Sequence, residues 1–362
     1  MFVYFGTYTK HASRGIYVIR FEPVTGAMSE PQLATTAKNP TWVTLDPSGH
    51  HLYATGEVQL EPAPPGPVGG AAAYAIGRAS GQLTLLNQEA TGGASTTHSV
   101  VDATDRMLIL ANFNAGYVAA LPIRSDGSLG ARSAVIDERG HAPLGPNAKR
   151  QDQAHTHSVT LSPDNRFVYA CDLGLDRIFI YRLDPAAATL VANTPAEVAA
   201  PPGAGPRHSK FSPDRRNLYV TNEMGASVTR YAFDASTGGL TQKESVSTLP
   251  PGLVLPDNTV AELRFHPSGK FLYVSNRGHD SIAVYACEPA TGHLTPLEIV
   301  PSGGKHPRNF ALDPSGRWLL CANRDTNNVV LFAVDQQTGK LSSTGKELAV
   351  PEAVCVAFDP KQ

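Results

Sequence analysis

Through most of the chain apolar and polar residues alternate with a period of two, in short runs broken by Pro, Gly, Asn and Asp. This alternation predicts strands with one buried face joined by tight turns, and leaves little room for long helices. The alternation is itself repeated. An apolar run, a D/S/H-P-S/D-G/N/R turn and a second apolar run read WVTLDPSGHHLYATGE from Trp42, HSVTLSPDNRFVYACD from His157 and HSKFSPDRRNLYVTNE from His208. The unit recurs as ELRFHPSGKFLYVSNR from Glu262 and NFALDPSGRWLLCANR from Asn309, with a degenerate copy, HSVVDATDRMLILANF, from His98. The turn anchors at positions 46, 102, 162, 212, 266 and 313 lie 47 to 60 residues apart, the length of a four-stranded propeller blade.

A second motif, an apolar strand followed by a turn and leucine or methionine, occurs seven times, from GIYVIRFEPVTGAM at Gly15 to VVLFAVDQQTGKL at Val329. The hairpin missing from the first series is supplied by the two ends of the chain, FVYFGTYT from Phe2 and VCVAFDP from Val354. The expected fold is therefore all-β, a single seven-bladed β-propeller over residues 1–362. Its ring closes by placing the N- and C-terminal strands in one blade, the last strand innermost, so that no sheet edge is left open. The stretches Glu61–Gly70 and Pro250–Val260 read as loop insertions.

Composition narrows the partners. A formal net charge of −2 provides no basic field for a phosphate backbone, so nucleic acid is not expected. No apolar run is long enough to span a bilayer. The N-terminus MFVYFGTYTK lacks the features of a secretory signal, and a cytoplasmic location is expected, with a previously removed leader compatible with the same reading. Cys171, Cys287, Cys321 and Cys355 lie in separate apolar strands without C-x-x-C spacing and read as buried free thiols. The oligomeric state is open.

In a propeller blade the start of the innermost strand and the end of the second strand meet on one face of the disc. His155, His157, Arg207, His208, Glu262, Arg308 and Asn309 fall at the first position; Glu57, Asp172, Glu223, Arg277 and Arg324 are assigned to the second. Isolated members of such a set serve as well as blade-to-blade salt bridges, but a ring of matched cationic and acid–base groups points to a site. Phosphate-loop, H-E-x-x-H and G-x-S-x-G patterns are missing from the sequence, and no cofactor or metal is expected. Glu57, Asp172 and Glu223 offer oxygen ligands to Ca²⁺, against which the accompanying arginines argue.

The segment GPNAKRQDQAHTHSV, Gly145–Val159, together with GPRHSKFSPD from Gly205, YVTNE ending at Glu223 and YVSNR ending at Arg277, resembles landmarks of the propeller lactonase family. That family includes bacterial 6-phosphogluconolactonases of the propeller type and carboxymuconate lactonizing enzymes. The resemblance covers essentially the whole chain. It implies catalytic roles for His157, Glu223, Arg207 and Arg277, with Arg150 and His155 nearby, and a small-molecule lactone or other anionic substrate. His208, Arg308 and Arg324, drawn from the repeat, complete the expected substrate-binding set. The leading expectation is hydrolysis of 6-phosphogluconolactone or a related sugar lactone in carbohydrate metabolism, with either Glu223 or His157 as general base. A lactonizing cycloisomerase and a non-enzymatic binding propeller are the alternatives. Phe113 occupies a position where other blades carry a charge, so its blade is expected to supply shape rather than chemistry.

Overall fold

The computed structural model describes residues 1–58, 68–93 and 95–359. Most of the insertion Glu61–Gly70 lies outside them; Pro250–Asn258 forms the expected loop. Among the described residues every regular element is a β-strand, arranged in seven antiparallel sheets.

The innermost strands, which number the blades one to seven, are Lys38–Leu45, Thr96–Val101, Thr156–Leu161, Pro206–Phe211, Thr259–Phe265, Pro307–Leu312 and Ala353–Phe358. Each contacts the next around a central channel, and the seventh returns to the first. Blades one to six are runs of four consecutive strands. Blade seven joins the chain ends: Ala353–Phe358 pairs antiparallel with Phe2–Thr7, Val3 facing Phe358 and Gly6 facing Cys355. The closure expected from the count of repeats is thus the one observed.

Burial follows the alternation. Cores form between blade faces, one joining Phe2, Tyr4 and Ile16 of blade seven to Trp42, Leu52 and Ala72 of blade one. The four cysteines are free and buried in these layers. Aromatic residues on the second strands also clasp neighbouring blades. The hydroxyl of Tyr53 donates to the carbonyl of Gly127 at 3.0 Å, that of Tyr169 to Gly238 at 2.7 Å and that of Tyr273 to Gly339 at 2.8 Å, each across a blade boundary. Tyr4 reaches Gly81 at 3.1 Å in the same way. In blade six, which carries Leu320 at this position, the Trp318 indole donates instead to the Pro23 carbonyl at 2.9 Å.

Removing one clasp leaves a buried carbonyl unsatisfied, which costs about 1–3 kcal/mol. Tyr273→Phe is therefore expected to lower the unfolding free energy by that amount, read as a lower urea midpoint with the slope of the transition unchanged. An unaltered midpoint would show the clasp to be idle.

Candidate active site

Strict alternation cannot turn consecutive residues such as Arg207 and His208, or Arg308 and Asn309, toward the same channel. The structure resolves this with β-bulges. All seven innermost strands shift register against their partners near one mouth of the channel. Thr156 faces Asp172 and Ser158 faces Cys171, which leaves His157 as the extra residue. Arg308 is extra between Pro307 and Asn309, and Arg207 with His208 fills the gap between Pro206 and Ser209. A bulge re-aims side chains and interrupts alternation, and here its residues are those that carry the chemistry.

Glu223 follows the second strand of blade four and is the hub of the mouth. Its Oε2 accepts from Arg207 Nε at 2.9 Å and from Arg277 Nη2 at 2.8 Å; its Oε1 accepts from Arg150 Nε at 2.9 Å and Nη2 at 2.6 Å. Arg207 and Glu223 are each 2% exposed. Burial alone would raise the carboxyl pKa, but Arg277, Arg207 and Arg150 overcome it and hold Glu223 well below the usual carboxylate range. It stays ionised and is a weak base. Arg277 also donates to the carbonyls of Val260 and Thr259, and Arg207 Nη1 to that of Ala261 at 2.9 Å. Arg207 Nη2 and Arg277 Nη1 have no acceptor among the described residues.

Arg150 arrives from the long connection between blades two and three. The buried Gln151 fastens that segment, donating to the Leu173 carbonyl at 2.9 Å and accepting from Asn147 N at 3.0 Å. Gly145 N donates to the Gly174 carbonyl at 2.9 Å. A side chain at position 145 would collide with the Gln151 amide, so this packing requires both the glycine and the glutamine.

His157 is 4% exposed, and neither ring nitrogen is hydrogen-bonded by a described residue; Nδ1 is enclosed. Burial and the Arg207 charge press its pKa well below the ordinary histidine value, so at neutral pH the ring is uncharged with a lone pair to offer. Phe113 stands edge-on to it, with centroids 5.4 Å apart. His208 differs. Its Nε2 lies 3.3 Å from Arg207 Nη1 and its Nδ1 3.2 Å from Glu262 Oε2. A guanidinium nitrogen only donates, so Nε2 accepts and Nδ1 carries the proton toward Glu262. Both nitrogens are engaged with the protein, and His208 holds Arg207 rather than a ligand.

The remaining expected residues divide. Arg308 has no carboxylate or hydrogen-bond partner among the described residues and lies over the Tyr8 ring, 5.7 Å from its centroid. Its charge lowers the Tyr8 hydroxyl pKa. Arg324 is at the rim but is drawn to Asp325 at 2.6 Å. His155 stacks on Phe113 at 4.3 Å, with Nε2 2.9 Å from Asp152 and Nδ1 3.1 Å from the Phe113 carbonyl, and serves as wall. Phe113 also carries the Arg150 guanidinium 4.8 Å from its centroid, the shape role expected of it.

Asp172, expected at the rim, sits one residue before it. Leu173 aligns with Glu223 and Arg277, while Asp172 takes the place of Asn222 and Asn276 beneath. There its Oδ1 accepts from the backbone of His155 at 3.0 Å and Leu175 at 2.9 Å. Glu57 pairs with Lys38 at 2.6 Å. Among the described residues no three metal-ligating side chains converge. Glu262, expected at the channel from its position alone, holds His208 Nδ1 across the boundary between blades four and five.

The sequence matches the family described as "Lactonase, 7-bladed beta-propeller" over residues 2–358. It is 35% identical to a 6-phosphogluconolactonase of Bacillus subtilis over 356 residues, covering 98% of this chain and 97% of that one. A 6-phosphogluconolactonase of Formosa agariphila is 30% identical over 324 residues, 86% of each chain. The structure of a periplasmic gluconolactonase from Pseudomonas aeruginosa superposes with a TM-score of 0.90 at 34% identity, covering 99% of this chain and 98% of that one. Whole-length agreement in sequence and in blade geometry leads to one assignment: the chain belongs to the seven-bladed β-propeller lactonase family.

Proposed function

We propose that the charged mouth opens a sugar lactone by attack of water, with 6-phosphogluconolactone or a close relative as substrate. Family membership makes the chain a lactone hydrolase, which sets aside a propeller that only binds, and no contact of the mouth favours a lactonizing cycloisomerase over hydrolysis. The observation that carries the mechanism is the pairing of an uncharged His157, without a hydrogen-bond partner among the described residues, with guanidinium groups already fixed by Glu223.

In this reading the His157 lone pair takes a proton from water as its oxygen bonds to the lactone carbonyl carbon. The carbonyl oxygen becomes an oxyanion and meets the free N–H groups of Arg207 and Arg277, donors set in place before charge develops. Collapse breaks the ring C–O bond, and the leaving oxygen regains the proton from the imidazolium. Glu223 keeps three guanidinium groups together and is a positioning residue. Arg308, which has no acid partner among the described residues, binds the phosphate.

The test is proton release on mixing purified protein with δ-lactones of phosphorylated and free sugars; a rate equal to spontaneous hydrolysis for every lactone would sink the proposal. Arg308→Gln separates the two substrate types. Losing a charge-assisted hydrogen bond of about 1.5–3 kcal/mol raises KM for the phosphorylated lactone roughly tenfold to a hundredfold. The unphosphorylated lactone should be little affected. Equal effects on both would place the phosphate elsewhere.

A cytoplasmic location is part of the proposal. Four unbridged cysteines support it, and in this setting the product would enter the pentose phosphate pathway. A relative described as periplasmic makes fractionation of the native cell the deciding measurement.

A further inference from the structure

The residue two places before each turn anchor faces the channel near its other mouth, on the turn side of the disc. In order of the blades this ring reads Thr44, Val100, Thr160, Lys210, Arg264, Ala311 and Ala357. Five members are small and neutral. The two cations are adjacent, on the innermost strands of blades four and five, and line a cavity of about 590 Å³ walled by the innermost strands. That volume falls within the range of small-molecule sites.

The charges there are balanced only in part. The buried Glu262 is the nearest carboxylate: its Oε2 pairs with Arg264 Nη2 at 3.5 Å while also accepting from Asn309 Nδ2 at 2.5 Å and His208 Nδ1 at 3.2 Å, and one carboxylate offsets at most one of the two cations. Lys210 has no hydrogen bond or ion pair among the described residues. Burial and the neighbouring Arg264 bring its pKa down to about 8, which leaves the ammonium charged at neutral pH. The carboxylates of Asp46 and Asp313, on the turn rim, are committed to their own turns through Ser48, His51, Ser315 and Trp318. Two adjacent cations that share a single carboxylate in a mostly apolar mouth leave one positive charge without a protein counter-charge in contact, which favours an added anion.

We propose that this turn-side mouth is a second anion site, separate from the lactone site, in which Lys210 and Arg264 hold the phosphate or carboxylate group of a small molecule. The experiment is calorimetric titration of the full-length protein with inorganic phosphate and, separately, with succinate, which distinguishes the two kinds of oxyanion. The wild type should show two binding events for at least one of these ions, and Arg308→Gln should lose only the event at the lactone mouth. Lys210→Met should weaken the other event about tenfold or more while lactone hydrolysis is unchanged, and Lys210→Arg should restore it. An unchanged melting temperature in Lys210→Met verifies folding. If Lys210→Met binds both ions as the wild type does, or if Arg308→Gln leaves no binding event for either, the second site does not exist.

Discussion

Replacing His157 by Asn is expected to lower kcat/KM on a sugar lactone by about 10²- to 10⁴-fold, the usual effect of removing a general acid or base. The expectation rests on a comparison of two buried groups. Glu223 accepts hydrogen bonds from three arginines, which hold it well below the ordinary carboxylate range; both its oxygens are taken and it has little affinity for a proton. His157 is equally enclosed, yet its nitrogens are free of protein donors and acceptors among the described residues. The pH profile supplies an independent check. Because His157 is active when neutral and its pKa is pressed below 6.5 by burial and Arg207, kcat/KM should stay level as pH falls through 6.5. It should drop only at distinctly lower pH, and that limb should vanish in His157→Asn. Full activity in this variant would transfer the base role elsewhere.

The second large effect concerns the closure of the ring. A chain ending at Val350 loses the innermost strand of blade seven, whose Val354, Cys355 and Val356 are at most 3% exposed. Re-exposing each buried valine alone forfeits about 1.5–3 kcal/mol. The strand also pairs with Phe2–Thr7 and packs against the innermost strands on either side. Native domains hold only about 5–15 kcal/mol in total, so the truncated protein is expected to lose its cooperative thermal transition. A melting curve matching that of the full chain would mean that the ring does not depend on the strand that joins its ends.

Much of this architecture is legible in the chain because turns and strand alternation act locally. The seven third-strand motifs against six internal hairpins led directly to the shared terminal blade, and the family landmarks led to Glu223, Arg207 and Arg277. Legibility stops where neighbouring residues depart from alternation. The bulge that turns both Arg207 and His208 into the channel is a property of two strands in register, visible only once their partners are known. The same limit produced the one-residue slip at Asp172, where Leu173 in fact keeps the rim position. His208 was read as a ligand contact because its blade places it at the channel; its partner Glu262 comes from the next blade, and tautomer and role follow from that pairing. Lys210 and Arg264 are not legible as a pair, because each looks like an ordinary strand residue until the seven copies are stacked by their turns.

The arginine-clamped carboxylate has a consequence for how substitutions combine. Glu223 gathers guanidinium groups from three separate segments: the long connection carrying Arg150, blade four with Arg207 and blade five with Arg277. Losing any one loosens the other two. Paired replacements among these four residues should therefore fall well short of the product of their single effects, since residues that act as a unit are strongly non-additive. The mouth would diversify during evolution by exchanging the whole quartet, or by altering Arg308 outside it, more readily than by changing its members in turn.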